Sequence, residues 1–273
     1  MVHPKSHREL LFSASENLSV AENVADRPTC MSSRKQTPDP LISPRRTLVI
    51  MAKAPRPGVV KTRLNQSLPT EAVIALYRCL LQDTVRLAMS LSRVEVAAMC
   101  RPSEEEELSE LVGRQVKIVA QTGEGLAAGL TSVFQYFTEG GLREVVAFNS
   151  DSPHLAPSVL LNAFDILGDH DVVIGPTHDG GYYLVGAKAS CPTLFENDGL
   201  GTHSALERLL SRTKALKLST AFTTPFYDID VAEDLLQLEH ELKAAPEKAP
   251  QTAAWFGNWK SSVEQLRRRI GER

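Results

Sequence analysis

The chain is poor in three features that would each have pointed to a class of protein. It has four cysteines in 273 residues, Cys30, Cys79, Cys100 and Cys191. They lie far apart, form no Cys-x-x-Cys pair and have no histidine at zinc-ligand spacing. That pattern argues against a structural metal cluster or a disulfide framework and suits a reducing cytoplasm. No apolar run approaches the roughly 18 to 20 residues needed to cross a bilayer, so a soluble protein without a membrane span is expected. Nor does one sign of charge dominate: 30 Lys and Arg against 33 Asp and Glu leave a net charge of −3. Such a surface has no general attraction for nucleic acid or acidic membranes, and any anion site must come from a local cluster.

What is present reads as globular, with 42% hydrophobic and 23% charged residues, enough for one large α/β domain or two small ones. Residues 1–45 are polar, proline-bearing and aperiodic, and are read as a disordered tail. The stretch "RELLFSASENLSV" is too broken for a signal peptide, and Glu9, Glu16, Glu22 and Asp26 argue against a transit peptide. Met31 offers an alternative start. From residue 46 short β-branched runs alternate with helical patterns. Strands are expected at 46–53, 93–100, 115–121, 143–150, 171–176 and 182–187, and a long helix where Val73, Leu76, Tyr77, Leu80, Thr84, Leu87 and Leu91 share one face. Ser103 to Glu106 fits a capping box opening a further helix, whose run of four glutamates reads as a solvated first turn. Helices are also expected at "AAGLTSVFQYFTEG" and "APSVLLNAFDILG", with Pro157 in the first turn of the latter. No internal repeat is evident.

This alternation predicts an α/β fold with a mostly parallel sheet and helices on both faces. Ligands in such sheets bind beyond the carboxyl ends of the strands. The loops near Lys53, Gln121 and Ser150 should therefore converge on one crevice. Residues 46–240 form the expected domain. Residues 241–273 read as an Ala/Pro linker or loose wrap with a basic helical end, in which Trp255, Phe256 and Trp259 could dock on the domain or on a second subunit of a homo-oligomer.

Four stretches could carry chemistry. In "KAPRPGVVKTRL", Pro55 and Pro57 stiffen the chain, Gly58 lets the backbone turn closely, and a helix is expected near Val59–Leu64. With Lys53, Arg56, Lys61 and Arg63 around it, such a turn suits a polyphosphate, though basic loops also occur merely solvated. In "NSDSPHL", Asp151 is a hard oxygen ligand at a strand end, suited to Mg²⁺ or Mn²⁺ held by one or two carboxylates and substrate phosphates. A turn-capping aspartate would look similar. In "FYDIDVAEDL", Asp228 and Asp230 alternate on one face of an extended segment and could meet Asp151, while Asp230 or Glu233 could instead cap the following helix. In "GPTHDGGYYLVG", Asp179, Gly180 and Gly181 permit a hairpin turn or a close approach to a ligand, with Tyr182 and Tyr183 on opposite sides. His178 beside Asp179 is poorly placed for a catalytic dyad, because adjacent turn residues rarely face each other. The glycines of "GEGLAAG" after a strand invite a dinucleotide-binding reading. The ribose-binding acid should close the next strand about 20 residues on, however, whereas Glu144 opens it. A base or ribose near Gln121, Gly123 and Leu126 is a better use of these glycines than NAD(P) binding by an oxidoreductase.

The four motifs, in this order, resemble the DUF2064 family, the transferases named after their association with radical-SAM and selenoprotein-domain genes. That family is similar to the cofactor-biosynthesis guanylyltransferases of the nucleotide-diphospho-sugar transferase superfamily. The resemblance covers about residues 46–240 and implies a GT-A-like fold. It also implies a nucleotide across the first strand ends, with Mg²⁺ or Mn²⁺ bridging its phosphates to aspartate. Lys53, Lys61 and Arg63 would then hold phosphates, Asp151 the metal, and Asp230 would be the distal ligand. Asp179, Gly180 and Gly181 would line the acceptor or sugar side. Where relatives carry Asp-Leu-Gly this chain has Glu124-Gly125-Leu126, and after Phe195 it lacks their tryptophan, with Thr202 and Ser204 as helix starts.

Two reactions compete within that superfamily. Nucleotidylyl transfer from an NTP to a small phosphorylated or acidic acceptor releases pyrophosphate and needs cations at the first loop; glycosyl transfer from an NDP-sugar has less need of them. The basic loop favours the first, with catalytic roles for Lys61, Arg63 and Asp151. A non-catalytic nucleotide-binding protein is the third reading.

Overall fold

The structure, a computed structural model, describes residues 45–139, 143–195 and 204–271. The tail expected over 1–45 lies outside these residues except for Arg45, as does Thr202. Seven strands, β1 (Arg45–Met51), β2 (Val94–Cys100), β3 (Lys117–Ala120), β4 (Arg143–Asn149), β5 (Val172–Pro176), β6 (Tyr182–Ala187) and β7 (Thr220–Phe222), make one sheet. Their order is β3-β2-β1-β4-β6-β5-β7. All pairings are parallel except those of β6, which runs antiparallel to both β4 and β5. The six strands expected from sequence are present. β7 was not anticipated, because three residues are too few to show a period.

Both faces of the sheet are covered. On β1, Leu48 and Ile50 face one apolar cluster and Val49 the other, and on β4 Val146 and Phe148 oppose Val145 and Ala147. This is why the central strands read as unbroken apolar runs rather than as alternating ones. Helices α1 (Thr70–Met89), α2 (Glu105–Val112) and α4 (Pro157–Asp169) pack on the first face through residues such as Tyr77, Leu108 and Phe164. Helices α3 (Gly125–Thr138) and α5 (Ala205–Ala215) pack on the second through Leu130, Phe134 and Leu209. The outer face of α1 is itself buried, by α6 (Ala232–Ala244), α7 (Pro250–Asn258) and α8 (Lys260–Gly271).

Three expectations are corrected. No helix forms over Val59–Leu64. The chain there is an irregular loop ending in a 3₁₀ turn, Leu64–Gln66, because two prolines and the positive φ of Gly58 (71°) and Lys61 (47°) interrupt any helical run. The capping box at Ser103 is not made: Ser103 has φ of 67°, and among the described residues no side-chain hydrogen bond caps α2. Glu104, read as solvated, is 3% exposed and its Oε2 accepts the Ala54 N–H at 2.8 Å. The Ala/Pro stretch, read as a linker or a loose wrap with docking aromatics, forms a 3₁₀ turn and α7. Trp255, 2% exposed, docks on α1 and donates its indole N–H to the Ala72 carbonyl at 3.0 Å.

Candidate active site

The sheet reverses direction of winding at β1, with β2 on one side and β4 on the other, so the loops after β1 and β4 part above it and leave a crevice. A cleft of about 490 Å³ opens there. Its walls carry Lys53, Lys61 and Arg63 from the loop after β1, Asp151 from the loop after β4, and Asp228 and Asp230 from the segment entering α6. Thr177, Asp179 and Gly181 from the β5–β6 hairpin close the far side, with Tyr182 beside them.

The three aspartates come together in space, with one carboxylate oxygen from each within 4.8 Å of the others. Lys61 lies among them. Its side chain is 3% exposed, and its ammonium is 2.8 Å from Asp151 Oδ2 and 3.0 Å from Asp230 Oδ1. Burial by itself disfavours the charge on Lys61, but the carboxylates of Asp151 and Asp230 outweigh it and hold the ammonium above its usual range. The same charge pulls the Asp230 carboxyl below its ordinary value, helped by Arg63 at 3.8 Å. Asp228 goes the other way: burial, reinforced by the charge of Asp230, pushes it up to about 6. Asp230 is free to turn into the cleft because it does not cap α6. Asp234 does so, its Oδ2 accepting the N–H groups of Asp230 at 2.9 Å and Val231 at 2.8 Å.

Other candidate residues are placed differently. Arg56 leaves the cleft to pair with Glu107 at 2.8 Å on α2, and Gly58 serves the turn of the loop. Gln121 folds back on its own loop, its amide donating to the carbonyls of Gly123 at 2.8 Å and Gly125 at 3.2 Å. Neither Gln121 nor Gly123 lines the cleft. The hairpin turn forms: the Thr177 N–H donates to the Gly181 carbonyl at 3.0 Å, and Asp179 Oδ1 accepts from Gly181 N–H and Thr177 Oγ1. Gly180 lies at φ 88°. Tyr182 and Tyr183 point to opposite faces, Tyr183 bonding Thr223 Oγ1 at 2.8 Å.

The sequence left open whether Asp228 or Asp230 would meet Asp151, and the fold brings both to it. Sequence reasoning read Tyr77 and Glu104 only as parts of helices. Nothing in sequence marks them otherwise, since their partners are separated from them by tens of residues.

The donor set is all carboxylate oxygen, and the place between the three groups already accommodates a positive charge. That chemistry fits a hard divalent cation.

A mixed α/β sheet flanked by helices, with charged loops gathered beyond its parallel strand ends, is the architecture of the GT-A-like and nucleotidyltransferase folds. Within this class, residues 84–202 match the model of the DUF2064 family, described as an uncharacterized protein conserved in bacteria. A protein of Desulfovibrio desulfuricans G20, provisionally named a nucleotide-diphospho-sugar transferase, is 25% identical in sequence. It superposes with a TM-score of 0.74 over 82% of this chain and 99% of its own. The 4-diphosphocytidyl-2C-methyl-D-erythritol synthase of Anaerococcus prevotii DSM 20548 shares the fold at 11% identity and a TM-score of 0.50, over 73% of this chain and 96% of its own. A cytidylyltransferase of Leptospira borgpetersenii does so at 12% identity and a TM-score of 0.50, over 82% and 97%. No curated protein matches the chain. Among the described residues no helix is long and apolar enough to cross a membrane.

Proposed function

We propose that the chain is a metal-dependent nucleotidylyltransferase, moving a nucleotidyl group from an NTP to a small phosphorylated or acidic acceptor. The observation that carries this reading is the meeting of three carboxylates and three basic side chains on one cleft at the strand ends. Its fold is shared with a cytidylyltransferase and a 4-diphosphocytidyl-2C-methyl-D-erythritol synthase. Asp151, Asp228 and Asp230 would hold Mg²⁺ or Mn²⁺, which would neutralise charge on phosphate oxygens. Lys53 and Arg63 bind the phosphates of the triphosphate and offset the charge of the departing pyrophosphate. Lys61 keeps the carboxylates together until the substrate's own charges arrive. The acceptor oxygen attacks the α-phosphorus, the bond to the bridging oxygen breaks, and pyrophosphate leaves. Asp179 and Gly181 face the acceptor. The narrower placement among the radical-SAM- and selenodomain-associated transferases rests on the same four motifs.

A second reading, glycosyl transfer from an NDP-sugar, is favoured by the name of the Desulfovibrio relative. A panel of NTPs and NDP-sugars with Mg²⁺ or Mn²⁺ separates the two. Pyrophosphate release from an NTP, abolished in Asp151→Asn, is the expected result. Turnover of an NDP-sugar with no NTP consumed would replace the first reading by the second.

A further inference from the structure

One phenol joins the basic loop to the carboxylates. Tyr77 is 3% exposed and lies on the face of α1 beneath the loops that follow β1 and β4. Its oxygen accepts the Lys53 N–H at 3.0 Å and is 3.1 Å from Ser150 Oγ. Ser150 Oγ is in turn 3.2 Å from Asp151 Oδ1. Asp151, paired with Lys61 as a carboxylate, can only accept. The serine hydroxyl therefore donates to it, and the Tyr77 hydroxyl donates to the serine. Each proton in the chain has one direction: from the Lys53 amide to Tyr77, from Tyr77 to Ser150, from Ser150 to Asp151. Burial, and then the charge of Asp151, push the phenol up to about 12, so its proton stays in place. Two helical turns on, Thr84 Oγ1 lies 2.8 Å from the Leu80 carbonyl and 3.2 Å from that of Ser150, holding the same loop by its backbone. With Oδ1 engaged by Ser150 and Oδ2 by Lys61 at 2.8 Å, the Asp151 carboxylate is oriented from both sides.

We infer that Tyr77 is a positioning residue: through Ser150 it orients the Asp151 carboxylate, and through the Lys53 amide it ties that carboxylate to the loop bearing Lys53, Lys61 and Arg63. The cation-holding and phosphate-holding sides of the cleft thereby keep one spacing. The inference rests on the reading that Asp151 holds a divalent cation. A group that fixes a ligand's orientation from behind is worth about 10- to 100-fold in metal affinity.

The test uses the full chain and Mn²⁺ as probe, with free Mn²⁺ followed by electron paramagnetic resonance and folding by denaturant titration. Tyr77→Phe keeps the ring and removes only the hydroxyl. It is expected to weaken Mn²⁺ binding about tenfold or more. Ser150→Ala should match it, and the double variant should bind no more weakly than the worse single one, because both changes cut one chain in series. A folded Tyr77→Phe protein that binds Mn²⁺ within about twofold of wild type, or losses that simply add, would overturn the role and leave Tyr77 a packing residue. Should Tyr77→Phe not fold, Ser150→Ala decides: a comparable loss supports the relay and none overturns it. Wild type binding no more Mn²⁺ than Asp151→Asn would instead overturn the metal reading itself, and Tyr77's role with it.

Discussion

His154 and Lys61 are both buried beside the same loops, and opposite electrostatic surroundings give them opposite behaviour. The His154 ring is wedged against Phe226 and Tyr227, with centroids 4.8 Å away in each case, and neither ring nitrogen has a hydrogen-bond partner among the described residues. Burial lowers its pKa from an ordinary 6.5 to about 4, and Glu241 at 3.9 Å only partly opposes this. Between these values the unfolded chain binds more protons than the folded one, so the contribution is complete above pH 6.5 and is lost as pH falls towards 4. Unfolding midpoints measured across that window should fall with acid in wild type and be flatter in His154→Phe. Lys61 instead gains carboxylate partners that keep it charged. Lys61→Ala leaves three carboxylates facing one another, and a loss of about 1–3 kcal/mol is expected, below that for a fully buried pair because Asp230 is half exposed. Mn²⁺ should restore more stability to this variant than it adds to wild type, a comparison that denaturant titration with and without the ion makes directly.

At the scale of the element, the loop between β1 and α1 has little periodic structure and is held by what surrounds it. Glu104 accepts the Ala54 N–H, Tyr77 the Lys53 N–H, and the Ala52 N–H donates to the Met99 carbonyl at 2.9 Å. Glu104→Leu leaves the Ala54 donor buried and unsatisfied, at a cost of about 1–3 kcal/mol. Binding of inorganic pyrophosphate, followed calorimetrically, should weaken in parallel, since the loop presents Lys53 and Arg63. The prolines and glycine of this loop announced a close turn. The charges on it announced an anion. That Arg56 would swing away to Glu107 could not be read, because Glu107 belongs to a helix that enters only after another strand has been laid down. The same holds for Glu104, whose neighbours in sequence describe a solvated helix start.

Across the whole molecule, the C-terminal helices are part of the core. Asp83, fully buried on α1, accepts the Thr252 N–H and hydroxyl, each at 2.8 Å, and Trp255 fills the space over Ala72. Because α1 also carries Tyr77 and Thr84 against the loop that bears Ser150 and Asp151, loosening its outer face should reach the site. Trp255→Ala is expected to cost about 3–5 kcal/mol and to lower the thermal midpoint with no contact to the cleft altered directly; differential scanning calorimetry measures it. The composition of "KAAPEKAPQTAAWFGNW", rich in Ala and Pro, resembles a linker, and only the apolar groove along α1 turns it into packed structure.

Much was legible in the chain itself. Strand and helix alternation follows from the period of apolar residues, which is a local property, and the rule that ligands gather at parallel strand ends follows from the alternation. Those two steps lead to the loops at Lys53 and Ser150 without coordinates, and also to Gln121, which does not line the cleft; the segment of Asp228 and Asp230 was marked only by its alternating acids. The tertiary structure decided which side chains meet. Asp228 and Asp230 lie some 77 positions or more from Asp151 along the chain, and Lys61 is 169 positions from Asp230. Closing such distances depends on the packing of the entire sheet and its helices. Charge and period are written locally, whereas the separation of two charges, and hence whether they bind each other or a ligand, is set by the fold as a whole.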